Sequence, residues 1–458
     1  MNIDTYLEKP RKNFVEHVEE ALTEVKKIDE EYQCMNTICV ERAKKRAEHI
    51  QQKIRGGEHG DLAGLLVTVK DNICVEGVET TAGSDILRGY KPAFTATAIK
   101  KLEEEDAVII GKTSMDAFGF GSFNINTGHS YPVPKNPVDK ERVTGGSSGG
   151  SAAITKLVSF PHISIGESTG GSIENPAAYC DVTGYCPTYG TVSRNGLISY
   201  ANSLDKLGVF TKTPELLPVL YSVIQGVDPA DPTTHTEQVE PKKIETIGVL
   251  QPDIDLEPHI KKAYHQKIEE LKKIYTVEEV SLPFTETYGV PTYYILSMSE
   301  ASTNLSKYAG IRYGQQTSPD EKHFTEYFKE IRSKHFNKET KRRLLLGTYT
   351  RMEGSRDDYY VKAMKARTRI IQEYQAAFEN VDVLISPTMP NTPPMKQDAE
   401  SLSPAETYAM DTLTVGPNLA GIPHTSLPIQ TQGLPVGLLA MTDQYRDNDL
   451  HRFTEEIQ

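Results

Sequence analysis

No run of 18 or more apolar residues occurs in the sequence, which excludes a conventional membrane-spanning helix. The opening residues, Met1, Asn2, Ile3 and Asp4 followed by Lys9, Arg11 and Lys12, lack the apolar core of a secretory signal. Cysteine is scarce and odd in number. Cys34, Cys39, Cys74, Cys180 and Cys186 are scattered without a CxxC pair, a pattern that fits neither a disulfide framework nor a zinc ribbon. Positive charge is in deficit: 50 Lys and Arg face 63 Asp and Glu, for a formal charge of −13. Such a chain repels a phosphate backbone at long range, so a nucleic acid partner would have to be held through another subunit. The expectation is a soluble, cytoplasmic protein with reduced thiols and no membrane association.

What is present is a globular composition, 38% hydrophobic and 25% charged over 458 residues, long enough for two to four domains or one large α/β unit. Phe14, Val18, Ala21, Leu22, Val25 and Ile28 share one helical face, which predicts a docking helix. Residues 41–55 are also helical in character. Their Lys44, Lys45 and Arg46 are offset by Glu41 and Glu48, so a solvated face is expected there rather than an RNA patch. From residue 62 short apolar runs (64–69, 107–110, 158–165) alternate with helical stretches such as 96–105, the texture of α/β layering around a buried sheet. Residues 228–243, rich in Pro, Thr, Glu and His, read as a surface linker or hinge. A strand–helix–strand unit (247–250, 259–274, 277–282) follows. Residues 296–378 are helix-rich, 381–386 return to strand, and 428–441 read as a last strand pair. There is no internal repeat.

Two Gly/Ser clusters stand out, residues 144–153 and 166–173. Glycine lets backbone approach a ligand and adopt positive φ, so Gly-Gly-Ser can aim several amides and one hydroxyl at a point. Neither cluster ends in the Gly-Lys-Ser/Thr of a phosphate loop. Gly145–Gly149 satisfies G-x-S-x-G formally, but Asp139, Lys140, Glu141 and Arg142 before it are no buried strand, and Ser203-Leu204-Asp205-Lys206 matches S-x-x-K without its partner motifs. If Ser172 is a nucleophile it needs a base, and none of the twelve histidines sits in a recognisable constellation. Lys70 ends the apolar run 64–69, which would carry its amine inward and favour the neutral form by desolvation.

Taken together, residues 64–72, 145–153 and 166–176 resemble the amidase signature family, serine amidohydrolases with a Ser, cis-Ser, Lys triad. The resemblance runs from about residue 41 to the C-terminus and implies an α/β/α fold, a large mixed β-sheet core covered by helices on both faces. Residues 1–60 would be an N-terminal helical segment packed on a domain spanning 61–458. It also implies Lys70 as base, Ser147 as the bridging serine with a cis peptide, and Ser172 as nucleophile. The amides of Thr169, Gly170, Gly171 and Ser172 would form the oxyanion hole.

Within the family, residues 187–194, 203–205, 300–305, 310–314 and 342–344 look most like the glutamine-hydrolysing A subunits of tRNA-dependent amidotransferases. That likeness implies Arg343 on the glutamine carboxylate and Asp411 on its ammonium, one fixed charge of each sign for a zwitterion. It implies a tRNA-binding B subunit that receives the ammonia and a small C subunit. ATP and Mg2+ would be used by the partner, with no cofactor and no metal in this chain. Relatives usually have Asp-Thr-Gly-Gly-Ser-Ile-Arg where residues 168–174 read Ser-Thr-Gly-Gly-Ser-Ile-Glu, so the loop's customary acid–base pair is expected to be missing. Asp181 replaces a usual Gly and Cys186 a usual Lys. A stand-alone amidase acting on an apolar amide, and a catalytically silent scaffold protein, remain as rival readings.

Overall fold

In a computed structural model that describes residues 3–237, 239–318, 323–429 and 431–458, eleven strands join into one sheet. They are β1 (Met35–Ile38), β2 (Leu66–Lys70), β3 (Val108–Thr113), β4 (His162–Ser168), β5 (Thr183–Cys186), β6 (Lys206–Thr211), β7 (Thr246–Leu250), β8 (Thr276–Val280), β9 (Val383–Pro387), β10 (His424–Ile429) and β11 (Val436–Met441). Their order across the sheet is β1-β3-β2-β4-β6-β5-β10-β11-β9-β7-β8. Pairs β2/β3, β2/β4, β7/β8 and β7/β9 are parallel and the others antiparallel. The sheet is therefore mixed, as the family resemblance implies.

Side chains alternate across the strands, and the alternation assigns the layers. Val67 and Val69 of β2, Ile109 of β3, Ile163 and Ile165 of β4 and Leu207 and Val209 of β6 face one apolar layer. It continues through Val383, Ile385, Leu438 and Ala440 and is roofed by helices Thr97–Glu104, Leu217–Ile224, Pro258–Leu271 and Asp447–Glu456. The opposite face is divided. Leu66, Val108, Ile110 and Phe210 pack under helices Phe14–Tyr32, Val40–Gly56 and Gly149–Leu157. Leu384, Leu439 and Met441 pack under the helix-rich region, above all Pro283–Asn304 and Lys362–Phe378. Each fully buried aliphatic or aromatic side chain in these layers contributes about 1.5–3 kcal/mol.

The N-terminal 60 residues do more than dock. Helix Phe14–Tyr32 buries Phe14, Val18, Ala21, Leu22 and Val25, but the following residues form the edge strand β1 on β3. The basic stretch of helix Val40–Gly56 is spent on acids of its neighbours, with Lys44 on Glu19, Arg42 on Glu103 and Arg46 and Lys53 on Asp106. The described part of 228–243 runs as turns, and Asp231 is tied to the backbone N–H and guanidinium of Arg194. Gln238 of that stretch lies outside the described residues. No helix among the described residues is long and apolar enough to cross a membrane.

Candidate active site

The seam where the two upper layers meet is lined by polar side chains. Lys70, at the end of β2, is fully buried. Its Nζ donates to Ser147 Oγ at 2.7 Å, to the Glu167 carbonyl at 2.9 Å and to Glu167 Oε2 at 2.9 Å. The Gly146–Ser147 peptide is cis, and Gly146 leaves no room for a Cβ beside Asp116. Asp116 accepts from the backbone N–H of Asn124 and Asn126 at 2.9 and 2.8 Å, and burial pushes its carboxyl up to about 6.

Ser172 follows β4 on the second Gly/Ser loop and keeps 7% of its surface exposed. Gly171 before it has φ +152°, with Thr414 Oγ1 where a Cβ would stand. Ser172 opens into a small cleft whose other lining residues include Gly146, Gly170, Tyr293, Arg343 and Asp411. The cavity itself measures about 10 Å³, room for about one water molecule, so a substrate enters only if the lining side chains part. A larger groove lies elsewhere, among Lys156, Asp181, Lys212, Glu270 and Lys273, and contains neither Gly/Ser loop.

The residues expected to bind an amino acid are thus brought to the expected nucleophile. Arg343 is 2% exposed. Its Nε donates to Glu339 Oε1 at 2.8 Å and its Nη1 to the Tyr200 hydroxyl at 2.8 Å. The rings of Phe120, Tyr200, Tyr294 and Tyr408 surround the guanidinium at 5.2–5.9 Å. Burial pushes the Glu339 carboxyl up, but Arg343 outweighs burial and holds it below its ordinary value. Asp411 accepts from Tyr294 at 2.6 Å and Ser122 at 3.0 Å, and burial pushes its carboxyl up to about 6.

Of the four amides expected in an oxyanion hole, that of Gly171 donates to Ser168 Oγ at 3.2 Å. Those of Thr169, Gly170 and Ser172 meet no acceptor among the described residues. The loop's customary acid–base pair is absent, as the sequence leads one to expect, and a different contact stands in its place. Glu174 contacts the imidazole of His424, far along the chain, and both are fully buried. Ser168 Oγ donates to Glu174 Oε2 at 3.0 Å. Asp181 occupies a left-handed position, φ 57°, at the end of helix Glu174–Cys180, and pairs with Lys156 at 2.6 Å. This is a conformation that glycine adopts without strain.

Donor atoms of Glu174, Cys186 and His424 lie within 4.8 Å of one another, the one metal-like grouping among the described residues. They suit a cation poorly. Burial pushes the Cys186 thiol up, and the Lys206 ammonium shares their neighbourhood.

Sequence reasoning passed over Glu167, Asp205, Glu339 and Tyr200. The i, i+4 spacing of Glu339 and Arg343 was the available signal for one of them. An acid inside the apolar run of β4 was the signal for another.

With this geometry in hand, comparison with known proteins gives a consistent picture. A family model described as Amidase matches residues 16–450. The chain is similar to the A subunit of glutamyl-tRNA(Gln) amidotransferase from Cyanothece sp., 40% identical over 447 residues that cover 94% of this chain and 92% of the relative. It is similar to the same protein of a Geobacillus species at 38%, covering 100% of this chain and 96% of the relative. Among solved structures, the glutamyl-tRNA(Gln) amidotransferase A subunit of Thermotoga maritima superposes with a TM-score of 0.78 at 30% identity, covering 99% of this chain and 93% of that one.

Proposed function

Because the chain belongs to the amidase signature family, we propose that it is the glutamine-hydrolysing subunit of a tRNA-dependent amidotransferase. It releases ammonia for a partner that converts Glu-tRNA(Gln) or Asp-tRNA(Asn) to the amidated form. The observation that carries this reading is that the cleft presenting Ser172 also presents a guanidinium and a carboxylate, Arg343 and Asp411. A free amino acid needs both charges, whereas a simple apolar amide needs neither. The 38–40% identity to named A subunits supports the same choice.

In the proposed reaction neutral Lys70 takes the proton of Ser147, and Ser147 takes that of Ser172 as its Oγ attacks the side-chain amide carbon. The tetrahedral oxyanion lies against the amides of Thr169, Gly170 and Ser172, and each such donor contributes about 3 kcal/mol in comparable sites. The proton returns through Ser147 to the departing nitrogen, ammonia leaves, and water hydrolyses the γ-glutamyl ester to glutamate and free Ser172. The B subunit receives the ammonia and holds the tRNA, ATP and Mg2+, and a small C subunit braces the contact. This division of labour suits a cytoplasmic chain of charge −13.

The test is a glutaminase assay of the purified chain with and without its partner. Ser172→Ala abolishes ammonia release while the protein stays folded and partner-bound, and ordinary turnover in that variant defeats the reading. Lys70→Arg is equally inactive, since a guanidinium does not deprotonate in proteins.

A further inference from the structure

Glu167 sits directly against the lysine base. Its Oε2 accepts from Lys70 Nζ at 2.9 Å and from Asn72 Nδ2 at 3.0 Å, and the side chains of Lys70 and Glu167 are 0% and 1% exposed. A neutral lysine has no need of such a partner. A buried carboxylate at this distance favours the ammonium form, which cannot accept a proton from Ser147.

Behind Glu167 the hydrogen count is informative. Thr169 Oγ1 lies 2.6 Å from Glu167 Oε1 and 3.0 Å from Asp205 Oδ1. A hydroxyl has one proton to donate, so two ionised carboxylates cannot both be served by it. One of the two acids carries a proton and donates it to Thr169. Glu167 faces an ammonium and Asp205 does not, so the proton belongs on Asp205. Burial, followed by the Glu167 charge, pushes the Asp205 carboxyl well up.

Resting on the glutaminase reading above, we infer that Glu167 is a positioning residue that stores the proton Lys70 must lose before it can act. The resting site is a Lys70 ammonium and a Glu167 carboxylate, with protonated Asp205 and Thr169 behind them. One proton passes from Nζ to Glu167 Oε2 over 2.9 Å, giving a neutral amine and a neutral acid, and the pair keeps its net charge throughout. The amine then takes the Ser147 proton as Ser172 attacks. When ammonia leaves, that proton goes out through Ser147, and Glu167 returns its own to Lys70. The other titratable groups around the pair are Asp116 and Cys186.

The test reads the acid limb of activity in Glu167→Gln and Asp205→Asn proteins, both as glutamine hydrolysis by the partner-bound chain and as sulfonylation of Ser172 by phenylmethylsulfonyl fluoride, followed by intact mass. Without Glu167 the Lys70 proton has no internal acceptor and must go to solvent before the amine can act, so Glu167→Gln moves the limb to higher pH, and a limb moved to lower pH overturns the inference. Asp205→Asn, which swaps one neutral group for another, leaves the limb where it was. An unmoved limb in Glu167→Gln, or loss of labelling at every pH in a folded variant, overturns the inference. So does a limb displaced in Asp205→Asn, which decides the matter alone should Glu167→Gln not fold. Turnover in Lys70→Ala would instead defeat the lysine-base reading itself. Inactive Lys70→Ala beside an unmoved Glu167→Gln limb defeats only the role given to Glu167.

Discussion

Glu174 and His424 share one proton. Nδ1 of the His424 ring lies 2.9 Å from the Ile422 carbonyl, and Nε2 meets Glu174 Oε1. Both ring nitrogens therefore face acceptors. A carbonyl can only accept, so Nδ1 is the donor there, and a proton must stand between Nε2 and the carboxylate. Burial pushes the Glu174 carboxyl up, but His424 and Lys206 outweigh it and hold the carboxyl at about 2.

Breaking that pair singly is therefore costly. Glu174→Gln and His424→Gln each destabilise the protein by about 3–5 kcal/mol, and the double variant falls short of their sum. Glu174→Arg sets a guanidinium against His424 and Lys206, so adding Ser168→Asp recovers only part of its loss. Chemical denaturation in a double-mutant cycle measures each term, and strict additivity of Glu174→Gln and His424→Gln would refute the shared proton.

Asp411 titrates near its working range. Its carboxyl is pushed up to about 6 by burial, so it is anionic above that pH and neutral below it. The Michaelis constant for free glutamine accordingly rises as pH falls through about 6, while that for a small uncharged amide does not follow. Asp411→Asn removes this dependence and weakens glutamine use by about 10–100-fold, the worth of a hydrogen bond to a charged group. Steady-state kinetics on both substrates across pH gives the comparison.

Arg343 has two roles that can be separated. Arg343→Ala removes the carboxylate anchor and leaves buried Glu339 only Arg342 and the Tyr408 hydroxyl as partners, so both glutamine affinity and thermal stability fall. Arg343→Ala combined with Glu339→Gln regains part of the stability, because no buried carboxylate has lost its main partner, yet it remains about 10–100-fold poorer toward glutamine. Equal losses on glutamine and on an uncharged amide would mean that Arg343 only supports the fold.

His451 is a weak point of the core. Neither ring nitrogen meets a hydrogen-bond partner among the described residues, and the ring packs edge-on to Tyr185 and Tyr221 with centroids 4.5 and 5.6 Å away. Burial pushes it down to about 3 from an ordinary 6.5. Between those values the unfolded chain binds a proton that the folded one refuses, so this residue's contribution falls on acidification. His451→Phe stabilises the protein by about 1–3 kcal/mol, and the advantage widens from pH 6.5 downward. Urea melts at neutral and acid pH show the trend, and an advantage that narrows with acid would contradict it.

Lys70 and the two Gly/Ser loops stand out because local pattern suffices, whereas the roles of Ser147 and Ser172 come from the resemblance. An apolar run delivers the lysine, and Gly/Ser density marks loops that must approach something closely. Arg343 and Asp411 came from resemblance alone, since each reaches the cleft through tertiary packing, as in the bond from Arg343 to Tyr200, 143 positions away. β1, β5 and β6 were passed over, the first two because four residues carry little alternation. Glu167 left one signal, an acid closing the buried strand β4, but its partners Lys70 and Asn72 lie nearly a hundred positions away. The contact of Glu174 with His424 could not be read from its loop, because its partner lies on β10.

The sheet order also dictates when the site can assemble. β1 to β6 form one block and β7 to β9 another, and β10 and β11 alone bridge them, through β5 on one side and β9 on the other. Lys70, Ser147, Ser172, Arg343 and Asp411 all precede that hairpin, which begins at His424. During synthesis the chain therefore carries its whole set of candidate reactive groups before it has the strands that hold the two blocks in register. Long-range pairing of this kind is slow to form, and until it does only side-chain packing, such as that of Tyr200 on Arg343, joins the block of the nucleophile to its amino-acid clamp. The strands that fix the register of the candidate site are thus the last of the sheet to be made.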